Sequence, residues 1–305
     1  MTRNQKPVSD SPDFPPVYLV DASVYIFRAW FSMPDEFVNA AGEPTNAVYG
    51  FSGFLCSLLE QTGAEYVAVA FDESLSSSYR NEIYPEYKAN RDSAPEDLKR
   101  QFAWARSVAE NLGLQCYSDA RYEADDLIGT LAGHWRQRGH PICVVTSDKD
   151  LAQLVEDGDH WWDFSRNQKL NASQLTAKFG VTPGQMADFL ALTGDSVDNI
   201  PGVPGIGPKS ASALLGHFGD LDSIYQRLEE VQHLSVRGAK SLQQKLATHR
   251  DAAELARKLT VIETSVESAL ASPELRRNQT DVAGLNRLFD QLQFGGMLRQ
   301  RCLNL

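Results

Sequence analysis

Residues 17–21 read VYLVD, residues 66–72 read YVAVAFD and residues 142–148 read ICVVTSD: three short apolar runs rich in β-branched side chains, each closed by an aspartate. Continuous apolar runs of this length suit strands buried on both faces, as in a parallel sheet. Between them lie segments with helical periodicity, Val48 to Gln61, Asp97 to Leu112 and Ala124 to Arg138, the last carrying Leu127, Ile128, Leu131 and Trp135 on one face. Strand and helix alternating in this way predict an α/β domain over residues 17–180, with a central parallel-type sheet flanked by helices.

From about Thr182 the pattern changes to short helices broken by glycine and proline, and no further strong strand signal follows. A helical second region is therefore expected over residues 181–305, its last stretch, Leu285 to Leu305, reading as one amphipathic helix. Met1 to Pro16 is polar and proline-rich, without the apolar stretch of a secretory signal, and reads as a disordered tail. No apolar run approaches the roughly 18 residues that cross a bilayer, so a cytoplasmic chain without a membrane partner is the default expectation.

The chain has 305 residues, 42% of them hydrophobic and 23% charged, which is ordinary for a globular protein with one large or two average domains. Cys56, Cys116, Cys143 and Cys302 are scattered with no C-x-x-C pair, and read as separate thiols in a reducing compartment. The formal net charge of −11 speaks against a phosphate-backbone partner unless the acids have another task.

Their placement supplies one. In an open parallel sheet, ligands bind outside the carboxyl ends of the strands, where Asp21, Asp72 and Asp148 all fall. Glu123, Asp125 and Asp126 open the helix in YEADDLIG, Asp150 follows Asp148 by two residues, and Asp195 and Asp198 lie in TGDSVDNIPG. A single aspartate after a strand is ordinarily a turn or N-cap residue. Nine carboxylates converging on one crevice would repel one another unless cations neutralise them. Oxygen donors without His or Cys favour Mg²⁺, with Mn²⁺ able to substitute, and two such ions about 4 Å apart suit phosphodiester displacement. Setting these nine acids aside takes the charge from −11 to −2, so the remaining surface is near neutral.

The segment NIPGVPGIGPKSASALL, residues 199–215, has the form of a glycine hairpin leading into a helix. Gly202, Gly205 and Gly207 permit tight turns, and the N–H groups from Gly207 to Ser210, with Lys209, could hold a DNA phosphate without reading bases. A plain helix connection made compact by glycine would look the same. In YPEYKANRD, Tyr84, Tyr87, Lys88 and Arg91 stand at helical spacing, so aromatic rings and cations could share one side toward DNA; a solvated face with a half-buried tyrosine is the alternative. Arg28, among aromatics after the first strand, suits either a phosphate contact or a packed edge.

Taken together, LVDASVYIFRAWF, AGEPTNAVYGF, VAVAFD, YPEYKANRD, EADDLIGTLA, TSDKDLAQLV and GDSVDNIPGVPGIGPKSASALL resemble the 5′ nuclease family. Within it the chain is most similar to the N-terminal 5′-3′ exonuclease domain of bacterial DNA polymerase I, and flap endonucleases are more distant relatives. The resemblance covers about Val17 to Gln300 and implies a PIN-like fold with a helical arch over about residues 76–106 and a helix-three-turn-helix over about 185–220. It implies that Asp21, Asp72, Glu123 and Asp125 hold a first metal ion, and that Asp126, Asp148, Asp150, Asp195 and Asp198 hold or surround a second. Lys88, Arg91 and Arg28 would act on the scissile phosphate, and a K⁺ ion could sit on hairpin carbonyls. The substrate implied is DNA with 5′ ends, flaps or duplex–single-strand junctions, cut by a free-standing monomer, since no polymerase region follows Leu305. A non-catalytic DNA-binding protein, an RNA nuclease on a related fold and a small-molecule phosphatase are the competing readings.

Overall fold

A computed structural model of the chain describes residues 14–34, 36–72, 78–236 and 238–305. Its sheet has six strands, β1 (Val17–Asp21), β2 (Tyr66–Ala70), β3 (Gln115–Tyr117), β4 (Ile142–Val145), β5 (His160–Asp163) and β6 (Gln168–Leu170), in the order β3-β2-β1-β4-β5-β6. The first five are parallel and β6 is antiparallel to β5. The three strands expected from sequence form the centre. The other three are only three or four residues long, and β5 and β6 form a hairpin that turns through the left-handed Asn167 (φ 50°).

Parallel neighbours need crossovers. These are α1 (Ala22–Ser32) and α2 (Asn46–Thr62) between β1 and β2; α3 (Tyr79–Ile83) and α4 (Glu96–Asn111) before β3; and α5 (Ala124–Arg136) before β4. Tyr18, Val20, Val67 and Val69 face α1, α2 and α4, whereas Val17, Leu19, Ala68 and Ala70 face α5, so both faces of the sheet are buried. The chain leaves β1 for β2 on one side and later places β4 on the other, which opens a crevice at the carboxyl end of β1.

The helical region follows: α6 (Ala172–Phe179), α7 (Met186–Thr193), α8 (Pro208–Phe218), α9 (Leu221–Gln226), α10 (Ala239–Thr248) and α11 (Arg250–Thr260) share a core that includes Leu190, Ile206, Leu214, Leu246 and Leu259. The chain then returns through α12 (Glu267–Leu270), α13 (Val282–Gln291) and α14 (Gly296–Leu303). The single C-terminal helix read over 285–305 is corrected to two, because the left-handed Gln293 (φ 56°) and Gly295 break it. Leu285, Phe289, Phe294 and Leu298 join the core of α2 and α4, so this segment completes the α/β domain.

That return also corrects the reading of four separate thiols. Cys56 on α2 and Cys302 on α14, 246 residues apart, are joined as a disulfide with Cα atoms 5.8 Å apart. No local spacing could announce a pair made by the returning chain. Cys116 and Cys143 remain free, their thiols pushed up to about 12 by burial. Closing so long a loop stabilises a fold by about 2–4 kcal/mol. Cys302→Ser is expected to lower the melting temperature in calorimetry without reductant, and reductant to lower it equally in the unaltered protein.

The expected arch is also revised; residues 76 and 77 lie outside the described residues. Among the described residues 78–95 only Tyr79–Ile83 is helical, and the chain then makes successive turns, with Tyr87 N donating to Tyr84 O (2.9 Å), Ala89 N to Glu86 O (3.1 Å) and Arg91 N to Lys88 O (3.0 Å). Pro85 keeps Tyr84 extended (φ −141°, ψ 100°), and Lys88 is left-handed (φ 57°), so one helix cannot run through this stretch. Of the expected N-terminal tail, residues 1–13 lie outside the described residues, whereas Phe14 stacks near His140 and Pro15 O lies 2.8 Å from His140 Nδ1.

Candidate metal centre and active site

Each strand end delivers its carboxylate to the crevice. Asp21 closes β1 and caps α1, accepting from Val24 N (3.5 Å) and from Thr146 Oγ1 (2.9 Å). Asp72, just past β2, accepts from Ser23 Oγ (2.6 Å) and from Ala124 N (2.9 Å) at the start of α5. Asp148 accepts from Asp150 N (2.9 Å), and its carbonyl accepts from Trp161 Nε1 (2.8 Å).

The electrostatics show how closely these groups crowd. Burial, reinforced by repulsion from Asp72 and Asp148, raises the Asp21 carboxyl to about 7. Burial with repulsion from Asp148, Asp21 and Asp72 raises Asp125 well above the usual carboxylate range. Asp148 is raised by burial and by Asp198, and Asp150 by burial and by Asp148. Glu123 goes the other way: burial would raise it, but Lys88 and Arg80 outweigh burial and hold it below its ordinary value.

Cations approach from the turn segment after α3. Lys88 Nζ donates to Glu123 Oε1 (2.6 Å) and lies 3.8 Å from Asp198 Oδ2, while Arg91 pairs with Asp198 Oδ1. Lys149, which sequence reasoning passed over, donates to Asp195 Oδ2 (2.5 Å) and lies 4.0 Å from Asp150 Oδ1. Its signal was its place between Asp148 and Asp150, where burial of two acids calls for a nearby cation.

Four expected residues are placed otherwise than the sequence reading had them. Asp126 is fully buried and faces away from the cluster, accepting from both Nη atoms of Arg80 (2.8 Å each) and from Glu123 N (3.1 Å) and Glu263 N (2.9 Å). Tyr87 is only 4% exposed and its hydroxyl lies 3.0 Å from Glu123 Oε2 and 3.3 Å from Asp198 Oδ2, so its ring is not a free stacking platform; Tyr84 is half-buried against the helical core. Arg28 is exposed on α1 and makes no ion pair among the described residues.

The donor set is all oxygen. Among the described residues no three of these carboxylates converge closely enough to hold one ion by themselves. Mg²⁺ is commonly held by one or two carboxylates, with waters and substrate phosphates completing its shell, so a dispersed cluster of this kind suits it. Asp150 Oδ1, buried without a hydrogen-bond partner, is an oxygen donor of the chemistry a hard divalent cation takes.

Below the crevice, α7 and α8 flank the glycine hairpin. Asp195 and Ile200 exchange backbone bonds (3.0 and 2.7 Å), and Val203 N donates to Leu192 O (2.9 Å), which folds residues 194–203 back on α7. Gly202 is packed against Gly194 and Thr193 backbone, whereas Gly207 faces open space at the N-cap of α8 beside the exposed Lys209. Ser210 N is already bonded to Gly207 O (3.0 Å), and Gly205 O accepts from Lys245 Nζ (3.1 Å) on α10.

Residues 16–180 match the family described as 5′-3′ exonuclease, N-terminal resolvase-like domain, and residues 181–283 match 5′-3′ exonuclease, C-terminal SAM fold. The chain is 39% identical over 284 residues to DNA polymerase I of Pseudomonas aeruginosa, covering 93% of itself but 31% of that protein. It is 34% identical over 280 residues to the 5′-3′ exonuclease of Buchnera aphidicola subsp. Schizaphis graminum, covering 92% of itself and 97% of that protein. Among solved structures, T5 5′-exonuclease with divalent zinc ions superposes with a TM-score of 0.67 at 20% identity, covering 91% of this chain and 98% of that one. The catalytic core of Rad2 with DNA substrate gives 0.62 at 16%, covering 94% and 89%. The fold is thus that of the 5′ nucleases. The chain belongs to the 5′-3′ exonuclease family.

Proposed function

We propose that the chain is a structure-specific 5′ nuclease that hydrolyses DNA phosphodiesters at 5′ ends, flaps and duplex–single-strand junctions, with exonuclease and flap endonuclease activity, in replication or repair. The observation that carries this reading is the crowding of Asp21, Asp72 and Asp148, at the carboxyl ends of parallel strands, with Asp125 in the first turn of α5, their carboxyl pKa values raised or their oxygens taken up by hydroxyl and backbone donors. The 5′-3′ exonuclease from Buchnera, matched over nearly its whole length, supports the same activity. A cytoplasmic setting and a monomeric state belong to the proposal; among the described residues no helix is long and apolar enough to cross a membrane.

Asp21, Asp72, Glu123 and Asp125 would hold one divalent ion, and Asp148, Asp150, Asp195 and Asp198 would hold or surround another. Two Mg²⁺ ions, for which Mn²⁺ could substitute, would supply Lewis acidity and neutralise charge on the attacking and leaving oxygens. Asp126 is left out of this set because it is fully buried on Arg80 and backbone N–H groups, whereas the Glu123 side chain keeps 13% exposure. Lys88 and Arg91 are placed to exchange carboxylate partners for the scissile phosphate, whose charge they would stabilise as it develops. Arg28, exposed on α1, would meet the same strand at longer range. Gly207 and Lys209, at the start of α8, would bind duplex phosphates without reading sequence. A K⁺ ion on the hairpin carbonyls is part of the proposal and would compete with the Lys245 ammonium on Gly205 O.

The test is cleavage of a 5′-labelled flap duplex in Mg²⁺, with EDTA as control. Short 5′ products that vanish in EDTA support the reading; flap binding without cleavage in Mg²⁺ or Mn²⁺ would leave a non-catalytic DNA-binding protein. Lys88→Ala is expected to lower single-turnover cleavage by on the order of 10²-fold, the effect of deleting one preorganised charge donor, with flap affinity changed about threefold or less.

A further inference from the structure

Arg80 spends every N–H it has. Its Nε donates to Leu259 O (2.8 Å), Nη1 to Glu123 Oε2 (3.0 Å) and Asp126 Oδ2 (2.8 Å), and Nη2 to Asp126 Oδ1 (2.8 Å) and Val261 O (3.2 Å). Those are five bonds from a group with five donors. The side chain is 3% exposed, so none of them is a surface contact that water could replace.

Arg80 and its partners belong to three separate pieces of the molecule. Arg80 itself lies on α3, which leads into the turns bearing Tyr87, Lys88 and Arg91. Glu123 and Asp126 form the N-terminus of α5, and Leu259 and Val261 end α11 in the helical region. The terminal carbonyls of a helix carry its negative dipole end, which favours a guanidinium there. Glu123 is shared: one oxygen receives Arg80, the other Lys88.

We infer that Arg80 is a positioning residue that fixes Glu123 against the crevice, and through Glu123 the ammonium of Lys88, while clamping the catalytic centre to the helical region. Resting on the proposed nuclease activity, it adds a residue that touches neither substrate nor ions. Asp126 is its counter-ion in the clamp. The bidentate, planar fork is what the geometry uses, and lysine, a point charge with three donors on a flexible stem, cannot span the same three segments.

The experiment is a double-mutant cycle between Arg80→Lys and Lys88→Ala, read by single-turnover flap cleavage in Mg²⁺, by flap affinity in EDTA and by the Mg²⁺-dependent rise in melting temperature. The expected results are a roughly 10- to 100-fold loss of cleavage for Arg80→Lys, the scale of losing an orienting partner, with flap affinity within about twofold. In the Lys88→Ala background the same change should cost less than about threefold, and the Mg²⁺-dependent rise should be smaller than in the unaltered protein. Additive losses, or a loss of flap affinity in parallel with cleavage, would show a general structural role and overturn the inference. If Arg80→Lys does not fold, Asp126→Asn takes its place in the cycle, with a smaller loss and the same non-additivity expected. An unaltered protein that binds flaps and never cuts them overturns the nuclease reading itself, which is a different result from an active enzyme whose cycle is additive.

Discussion

Asp125→Ala is expected to reduce flap cleavage by on the order of 10³-fold or more, since loss of a mere outer partner of a metal ligand already costs 10- to 100-fold. The same variant should bind flap DNA in EDTA as the unaltered protein does, because the hairpin and α8 are untouched. Its stability gives a second, opposite signature. Asp125 is crowded by Asp148, Asp21 and Asp72 in a buried setting, and like charges so placed destabilise the fold. Without divalent ions, Asp125→Ala should therefore melt at or slightly above the temperature of the unaltered protein, whereas in Mg²⁺ it should fall below it. Scanning calorimetry in EDTA and in Mg²⁺ checks this directly. A variant that melts lower in both buffers and retains cleavage would mean that Asp125 is a structural acid and that the ions, if any, sit elsewhere.

The contrast between Asp125 and Asp126 also shows what the sequence could and could not disclose. Two neighbouring acids on a helix point about 100° apart, so both cannot face one crevice. The helical pattern read over Ala124 to Arg138, observed as a helix over Ala124–Arg136, was legible from its apolar periodicity, and that alone should have split the pair. What was not legible is which way the helix is rotated, because the partner of Asp126 is Arg80, 46 residues away on a segment with no strong pattern. The expected arch failed for a local reason that was visible, Pro85, and for one that was not, the left-handed Lys88. Lys88 N donates to Asp198 O (2.9 Å) and Asn199 Nδ2 to Glu86 O (2.6 Å), so the turns of the gateway are held by the loop that bears Asp195 and Asp198. Long-range bonds of this kind override local propensity.

The central strands were legible because burial on both faces demands unbroken apolar runs, and the acids at their ends because nothing in a hydrophobic core calls for them there. Strands β5 and β6 were missed for the converse reason. HWWD and QKL are short and carry no β-branched residue; Trp161 and Trp162 pack on opposite faces of β5, and only β6 is at the edge of the sheet, where Lys169 lies over Trp162 (5.2 Å) and Tyr18 (5.9 Å). The C-terminal return escaped notice because α13 is an amphipathic helix like any other and α14, GMLRQRCL, has no clear apolar face of its own. Only the fold reveals that they complete the core around α2 and α4.

The hairpin glycines looked alike in sequence, and the structure separates them into two kinds with opposite expected outcomes. A methyl group on Gly202 would overlap Gly194 N and the Thr193 carbonyl carbon, and would come to 2.7 Å from Thr193 O; all are backbone atoms that cannot swing aside. Gly202→Ala is expected to cost about 3 kcal/mol of stability, the scale of overpacking against a fixed wall. The strain should pass into the Asp195–Ile200 bridge, displacing Asp195 from Lys149 and Asp198 from Lys88, so cleavage should fall further than flap affinity. Gly207 has nothing within 4 Å of the position a Cβ would take, and its backbone (φ −100°, ψ 178°) is open to any residue. Gly207→Ala should therefore fold with a loss of only about 1 kcal/mol, the cost of a poorer N-cap. Its methyl would stand where a phosphate must approach the start of α8, so flap affinity and cleavage should fall together. Chemical denaturation and flap titration of the two variants side by side test both halves; equal losses of stability would mean that the hairpin packs as one unit, and unchanged flap affinity in Gly207→Ala would remove α8 from the DNA-binding surface.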